Sequence, residues 1–123
     1  MAAAMMTGAL TACAETAPEA ATAPRYLWAE TLRMAEDLVN VRAAVEGGDA
    51  HAATDYAGCV AAGYALAQGK AFARHVRTTL SEEGGVRTAD AVYTISPALP
   101  EGLVTIDAET RAAACAESGI PTG

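Results

Sequence analysis

The segment Ser81-Glu82-Glu83-Gly84-Gly85, followed by the run from Val86 to Ser96, constrains the fold of this chain more than any other feature. A glycine pair supplies the positive φ angles of a tight turn, and a stretch rich in Val, Thr, Tyr and Ile suits a strand better than a helix. Before the turn, Phe72, Val76 and Leu80 recur every fourth position, a spacing open to a strand or to a third helix. The hairpin is the preferred reading. Pairing Leu80 with Val86 puts Phe72, Val76, Leu80, Val86 and Val92 on one face, with Arg74 diagonal to Asp90. His75, Arg77 and Arg87 then project from the opposite face and gather near the turn.

The flanking segments read as helical. Leu27, Thr31, Met34, Leu38, Val41 and Val45 alternate spacings of four and three, which predicts one stripe of a helix that starts at Pro24 and stops at Gly47-Gly48. Asp49 caps a second expected helix over Ala50–Gln68, ended by Gly69. So short a connection makes the two helices antiparallel, with Tyr56, Cys59, Val60, Leu66 and Ala67 facing the first and Gly63 allowing close approach. Pro97 and Pro100 break the sheet, Gly102–Ile106 offers a third strand, and Asp107 caps a last helix through Glu117 that Gly119 ends. The expected fold class is α+β: two antiparallel helices packed on a short antiparallel sheet (hairpin plus third strand), with a C-terminal helix, in one small domain over residues 24–123.

Composition narrows what such a domain does. With 123 residues there is room for one modest core, and only 5% of the chain is aromatic, so alanine supplies much of its apolar content. The net charge of -7 disfavours nucleic acid, whose phosphates would repel the protein, and equally disfavours broad contact with anionic lipid.

The N-terminal stretch Ala2–Ala12 is uncharged and too short to span a bilayer as a helix. With the next residue it closes on Leu10-Thr11-Ala12-Cys13, which resembles the lipobox of bacterial lipoproteins. That resemblance implies a signal peptide over 1–12, acylation of Cys13, and a flexible tether over 13–23, whose Ala, Pro, Thr and Glu show no periodicity. It also implies a place at the periplasmic face of the cell envelope, the outer membrane before the inner one because Ala14 is not an aspartate. The alternative is a cytosolic protein whose alanine-rich leader holds a chance cysteine. If lipid consumes Cys13, Cys59 and Cys115 are left as a pair that an oxidising compartment would join, tying the C-terminal helix to the second one. Two unrelated buried thiols are the alternative to that pair.

Material for catalysis is sparse. There are two histidines and three serines, and no G-x-S-x-G, H-E-x-x-H, phosphate-loop or dinucleotide fingerprint. His51 reads as an exposed surface residue, and the adjacent pairs Glu36-Asp37 and Glu82-Glu83 lack metal-loop spacing. No catalytic residue, metal or cofactor is assigned. The basic group Arg74, His75, Arg77 and Arg87 is a candidate anion site because arginine forks match carboxylate and phosphate, against ordinary solvation with Glu82 and Glu83 as partners. The expected function is a non-enzymatic envelope module, anchored to the membrane by lipid and touching another envelope protein. The rival is a periplasmic ligand-binding protein or hydrolase built on His75 and the arginines. A concave site with His75 beside a carboxylate or serine would favour that rival.

Overall fold

Val39, Val41, Ala43 and Val45 are all fully buried, while Asn40 and Arg42 between them reach solvent or its edge. That is the period of a strand packed on one face. In the computed structural model, which describes residues 23–99 and 105–123, the segment expected to be the first helix is instead two strands. They are β1 (Arg25–Ala35) and β2 (Leu38–Glu46), joined across Glu36-Asp37. The helical stripe was deceptive for a specific reason. Spacings of four keep a residue on one face in both periods; of the two spacings of three, Thr31–Met34 ends in a β-bulge that breaks the β1 register, and Leu38–Val41 joins opposite faces of β2.

The remaining elements are α1 (Ala52–Ala67), β3 (Phe72–Glu83), β4 (Val86–Ser96), β5 (Thr105–Asp107) and α2 (Ala108–Ser118). The strands form one antiparallel sheet in the order β1-β2-β4-β3-β5. The α+β class stands, but two antiparallel helices on a short sheet is not the architecture: the sheet dominates, and the two helices are α1 and α2. The lipobox segment with Cys13 and nearly all of the tether lie outside the described residues. So do residues 100–104, and of the expected third strand only its C-terminal part is seen, within β5.

The β3–β4 hairpin forms, in a different register from the expected one. Glu83 faces Val86 and Leu80 faces Ala89, because Gly84 and Gly85 alone make the turn, both with positive φ (58° and 81°). Such a two-residue turn follows the right-handed twist of its strands, which a five-residue loop from Ser81 to Gly85 would not need to do. Phe72, Val86 and Val92 therefore point away from the helices, Leu80 points to the helix side, and Val76 falls in a bulge between His75 and Arg77. Arg74 faces Thr94, and Asp90 is instead beside Asn40 and Arg42 of β2.

α1 lies across β2 and β4, and its buried face carries Ala53, Ala57, Ala61 and Ala65, each fully buried. Side chains this small let the helix axis sit close to the sheet. Tyr56 and Val60 join this core rather than meeting another helix, Cys59 turns to α2, and Leu66 and Ala67 are exposed. His51 is the N-cap of α1; Asp49 stands earlier, its Oδ1 accepting from the His51 N–H at 2.8 Å. Gly63 has the expected close approach, but to the C-terminal segment: a Cβ there would sit 2.3 Å from the Thr122 carbonyl oxygen. Replacing Ala61 by Leu is expected to destabilise the fold by about 2 kcal/mol, since three extra carbons must push helix from sheet. A urea midpoint for Ala61→Leu equal to that of the parent would show slack packing at this contact.

α2 begins as expected, with Asp107 Oδ1 accepting from the Thr110 N–H at 3.0 Å, and ends at Gly119 in the left-handed region. It packs on α1, and Cys115 is bonded to Cys59 with Cα atoms 6.0 Å apart. Both helices thus stand on one side of the sheet.

Candidate functional site

Alternation along the strands splits the expected basic cluster. Arg74 faces Thr94 and Arg77 faces Val92, on the side of the sheet without helices, whereas His75 faces Tyr93 and Arg87 faces Glu82 on the helix side. His75 and Arg87 are still not neighbours, because Tyr93 and Arg87 stand six positions apart in β4, about 20 Å along a strand. Arg87 is also engaged: its Nη1 donates to the Asp49 carbonyl oxygen at 2.7 Å and its Nε lies 3.5 Å from Glu82 Oε2. The four residues therefore do not form one anion site.

Around His75 the structure assembles a different group. The bulge at Val76 shifts the alternation of β3 by one residue, so that His75 and Thr78 both face the helices. A regular strand would have paired His75 with Arg77 on that side. His75 Nε2 and Thr78 Oγ1 are 2.6 Å apart, and the imidazole stands edge-on to the Tyr93 ring with centroids separated by 5.5 Å. These side chains open into a cleft of about 340 Å³ that α1 bounds through Thr54 and Gly58, β5 through Ile106 and α2 through Arg111. Among the described residues neither a carboxylate nor a serine lines it.

Tyr93 is 4% exposed, and its hydroxyl has no hydrogen-bond partner among the described residues. Burial pushes its pKa up to about 12, and the nearby Arg111 guanidinium pulls the other way, so Tyr93 stays a neutral donor through the physiological range. Arg111 is half-buried and forms no salt bridge among the described residues. Gly58 faces both groups: a Cβ at that position would press on the Arg111 Nη1 at 3.0 Å and touch the Tyr93 hydroxyl at an ordinary 3.9 Å. Sequence reasoning singled out His75 but missed Thr54, Thr78 and Arg111. They come from three elements, and no spacing in the chain links them.

Neither α1 nor α2 covers the opposite face of the sheet. An ionic row crosses β1, β2 and β4 there: Arg42 Nη1 donates to Glu30 Oε1 at 3.1 Å, and its Nε lies 3.9 Å from Asp90. The Arg42 guanidinium also covers the Trp28 ring, 5.7 Å from its centroid. Towards the free edge, Trp28 is 42% exposed and Leu32 65% exposed, both on this face. Among the described residues no three His, Cys, Asp or Glu side chains are grouped to hold a metal ion, and no helix is long and apolar enough to cross a membrane.

Residues 26–119, which run from β1 to the end of α2, match the family described as the YNQ4 C-terminal domain. The chain belongs to that family. Over 94 residues the YNQ4 C-terminal domain of this chain is 36% identical to a Paracoccus denitrificans protein described as an uncharacterized 26.9 kDa protein in the nqo8 5′ region. The alignment covers 76% of this chain and 37% of that protein, so the chain spans little more than a third of its relative's length. No solved structure matches. The family match begins after Leu10-Thr11-Ala12-Cys13 and thus does not bear on the lipobox resemblance.

Proposed function

We propose that this YNQ4 C-terminal domain is a non-enzymatic contact module of the cell envelope, tethered through an acylated Cys13 and meeting an extended segment of an envelope protein along β1. The observation that carries this reading is the composition of that edge. Between the bulges at Leu27 and Met34, residues Trp28–Arg33 form a regular stretch whose outer backbone groups face no other described strand. An added strand would satisfy those groups, and Trp28 and Leu32 give it an apolar surface on one face. The bonded pair Cys59–Cys115 supports an oxidising compartment, and it leaves Cys13 as the one remaining cysteine, as the lipobox resemblance requires.

The test is photo-crosslinking in intact cells from a probe residue at Leu32, with a second probe at Ser81 on the distant hairpin as the comparison. A discrete crosslinked band is expected from position 32 alone, weakened about tenfold by Trp28→Glu, which sets a charge against the apolar contact. Equal labelling from both positions, or none from 32, would remove the reading. Intact mass of membrane-extracted protein tests the tether separately: loss of residues 1–12 with added acyl mass is expected.

A further inference from the structure

We infer that the cleft beneath α2 is a binding site for a small organic carboxylate, with Arg111 and the Tyr93 hydroxyl taking its charged end and Ile106 its apolar body. This inference is independent of the contact proposed for β1. Three observations meet here. First, Tyr93 lines the cleft, and its hydroxyl, which no described residue engages in a hydrogen bond, lies close to Arg111 at the point a Cβ on Gly58 would reach, so it is a donor available to a molecule in the cleft. Second, Arg111 brings a guanidinium beside it that no described carboxylate neutralises through a salt bridge. Third, the chain omits a side chain where these two groups converge, since any Cβ at Gly58 would stand 3.0 Å from Arg111 Nη1.

The rest of the cleft narrows the ligand class. Whichever of His75 and Thr78 donates across their 2.6 Å contact, one polar hydrogen of the pair remains without a described partner. Thr54 gives its own hydroxyl hydrogen to the His51 carbonyl oxygen, at 2.9 Å, and so offers the cleft only acceptor capacity. One guanidinium fork with one or two hydroxyl or imidazole donors suits the two oxygens of a carboxylate. Phosphate, with more oxygens and more charge, asks for a denser set of donors. The Tyr93 ring and Ile106 form an apolar wall, and a volume of about 340 Å³ is at the small end for ligand pockets. The disulfide contributes by holding α2 in place, for Cys115 lies one helical turn beyond Arg111 and faces α1 with it.

The experiment is calorimetric and NMR titration of the full oxidised chain with benzoate, acetate and inorganic phosphate. Benzoate is expected to bind with 1:1 stoichiometry, at least about tenfold more tightly than acetate or phosphate, because it alone uses both the fork and the apolar wall. Arg111→Gln is expected to weaken benzoate about tenfold or more, and Tyr93→Phe by several-fold while keeping the ring's edge-on contact with His75. Gly58→Ala, which leaves every polar group in place and only fills the point of convergence, is expected to weaken it as well. Far-UV circular dichroism of the variants should match the parent. No saturation by benzoate at about ten millimolar, phosphate binding as tightly as benzoate, or an affinity indifferent to both Arg111→Gln and Tyr93→Phe would each overturn the assignment.

Discussion

Replacing Cys59 and Cys115 together by alanine should lower the free energy of unfolding by about 4 kcal/mol, the largest single effect expected for this domain. The two cysteines are 56 positions apart, so their bond removes a long loop from the freedom of the unfolded chain. The effect has a local side too. Among the residues of α2 only Ala108 and Cys115 are buried, which leaves that helix with little apolar contact of its own. Without the disulfide, the amides of α2 should exchange with solvent well before those of β2 and β4, whose inward side chains from Val39 to Val45 and from Ala89 to Ile95 are buried. Urea unfolding of the oxidised parent and the double variant measures the first quantity, and hydrogen exchange the second. A difference below about 1 kcal/mol would mean that the unfolded chain is already compact around this pair.

Alkaline pH should destabilise the fold through Tyr93. Its pKa is about 12 in the folded state against 10.0 ordinarily, because a charged phenolate would lose its hydration in the core. The folded state therefore holds this proton more tightly than the unfolded state does. The stabilisation is complete below about pH 10 and is lost progressively as pH rises to about 12, amounting to about 3 kcal/mol for a shift of two units. Burial first, and then neighbouring groups, raise the pKa of Tyr26 and Tyr56 as well, so these residues add to the loss in the same direction. Urea midpoints followed from about pH 9 to pH 12 should fall steeply in the parent and less steeply in Tyr93→Phe. Parallel curves would show that the Tyr93 hydroxyl ionises as freely in the folded protein as in the unfolded chain.

Features that a few neighbouring residues settle were legible in the chain. The turn at Gly84-Gly85 and the helix before Gly69 are of this kind, as is the α2 start at Asp107. In each case the signal and its structural consequence lie within one turn, so no distant partner is needed to read it. The pairing of Cys59 with Cys115 was reachable by counting, given the lipobox resemblance at Cys13. Strand or helix for residues 25–46 was not reachable that way. Val41 and Val45 share a face in either conformation, and the odd spacings that suggested a helix come from the bulge at Met34 and from Leu38 and Val41 lying on opposite faces of β2.

The candidate site was less legible still. His75 was visible as a rare residue, but its partners depend on the register of β3 against β4 and on one extra residue at Val76. With the expected register, His75 would stand beside Arg77 and Arg87, and with the observed one it stands beside Thr78 and Tyr93. A slip in strand pairing reassigns which side chains share a face. Arg111 reaches the same cleft from an element nowhere near β3 in the chain, held there by α2 packing on α1.

Sequence alone, then, determined the turns, the helix ends and the small size of the α1 side chains, because each rests on backbone sterics or on hydrogen bonds within a few residues. The tertiary structure decided that Arg25–Glu46 is a pair of strands and that Tyr93, Arg111 and His75 share a cleft. The strands depend on pairing β2 with β4 across α1 and β3, and the cleft on the register of β3 against β4 and on α2 packing on α1, where the free energy lies in contacts between residues that no local pattern connects.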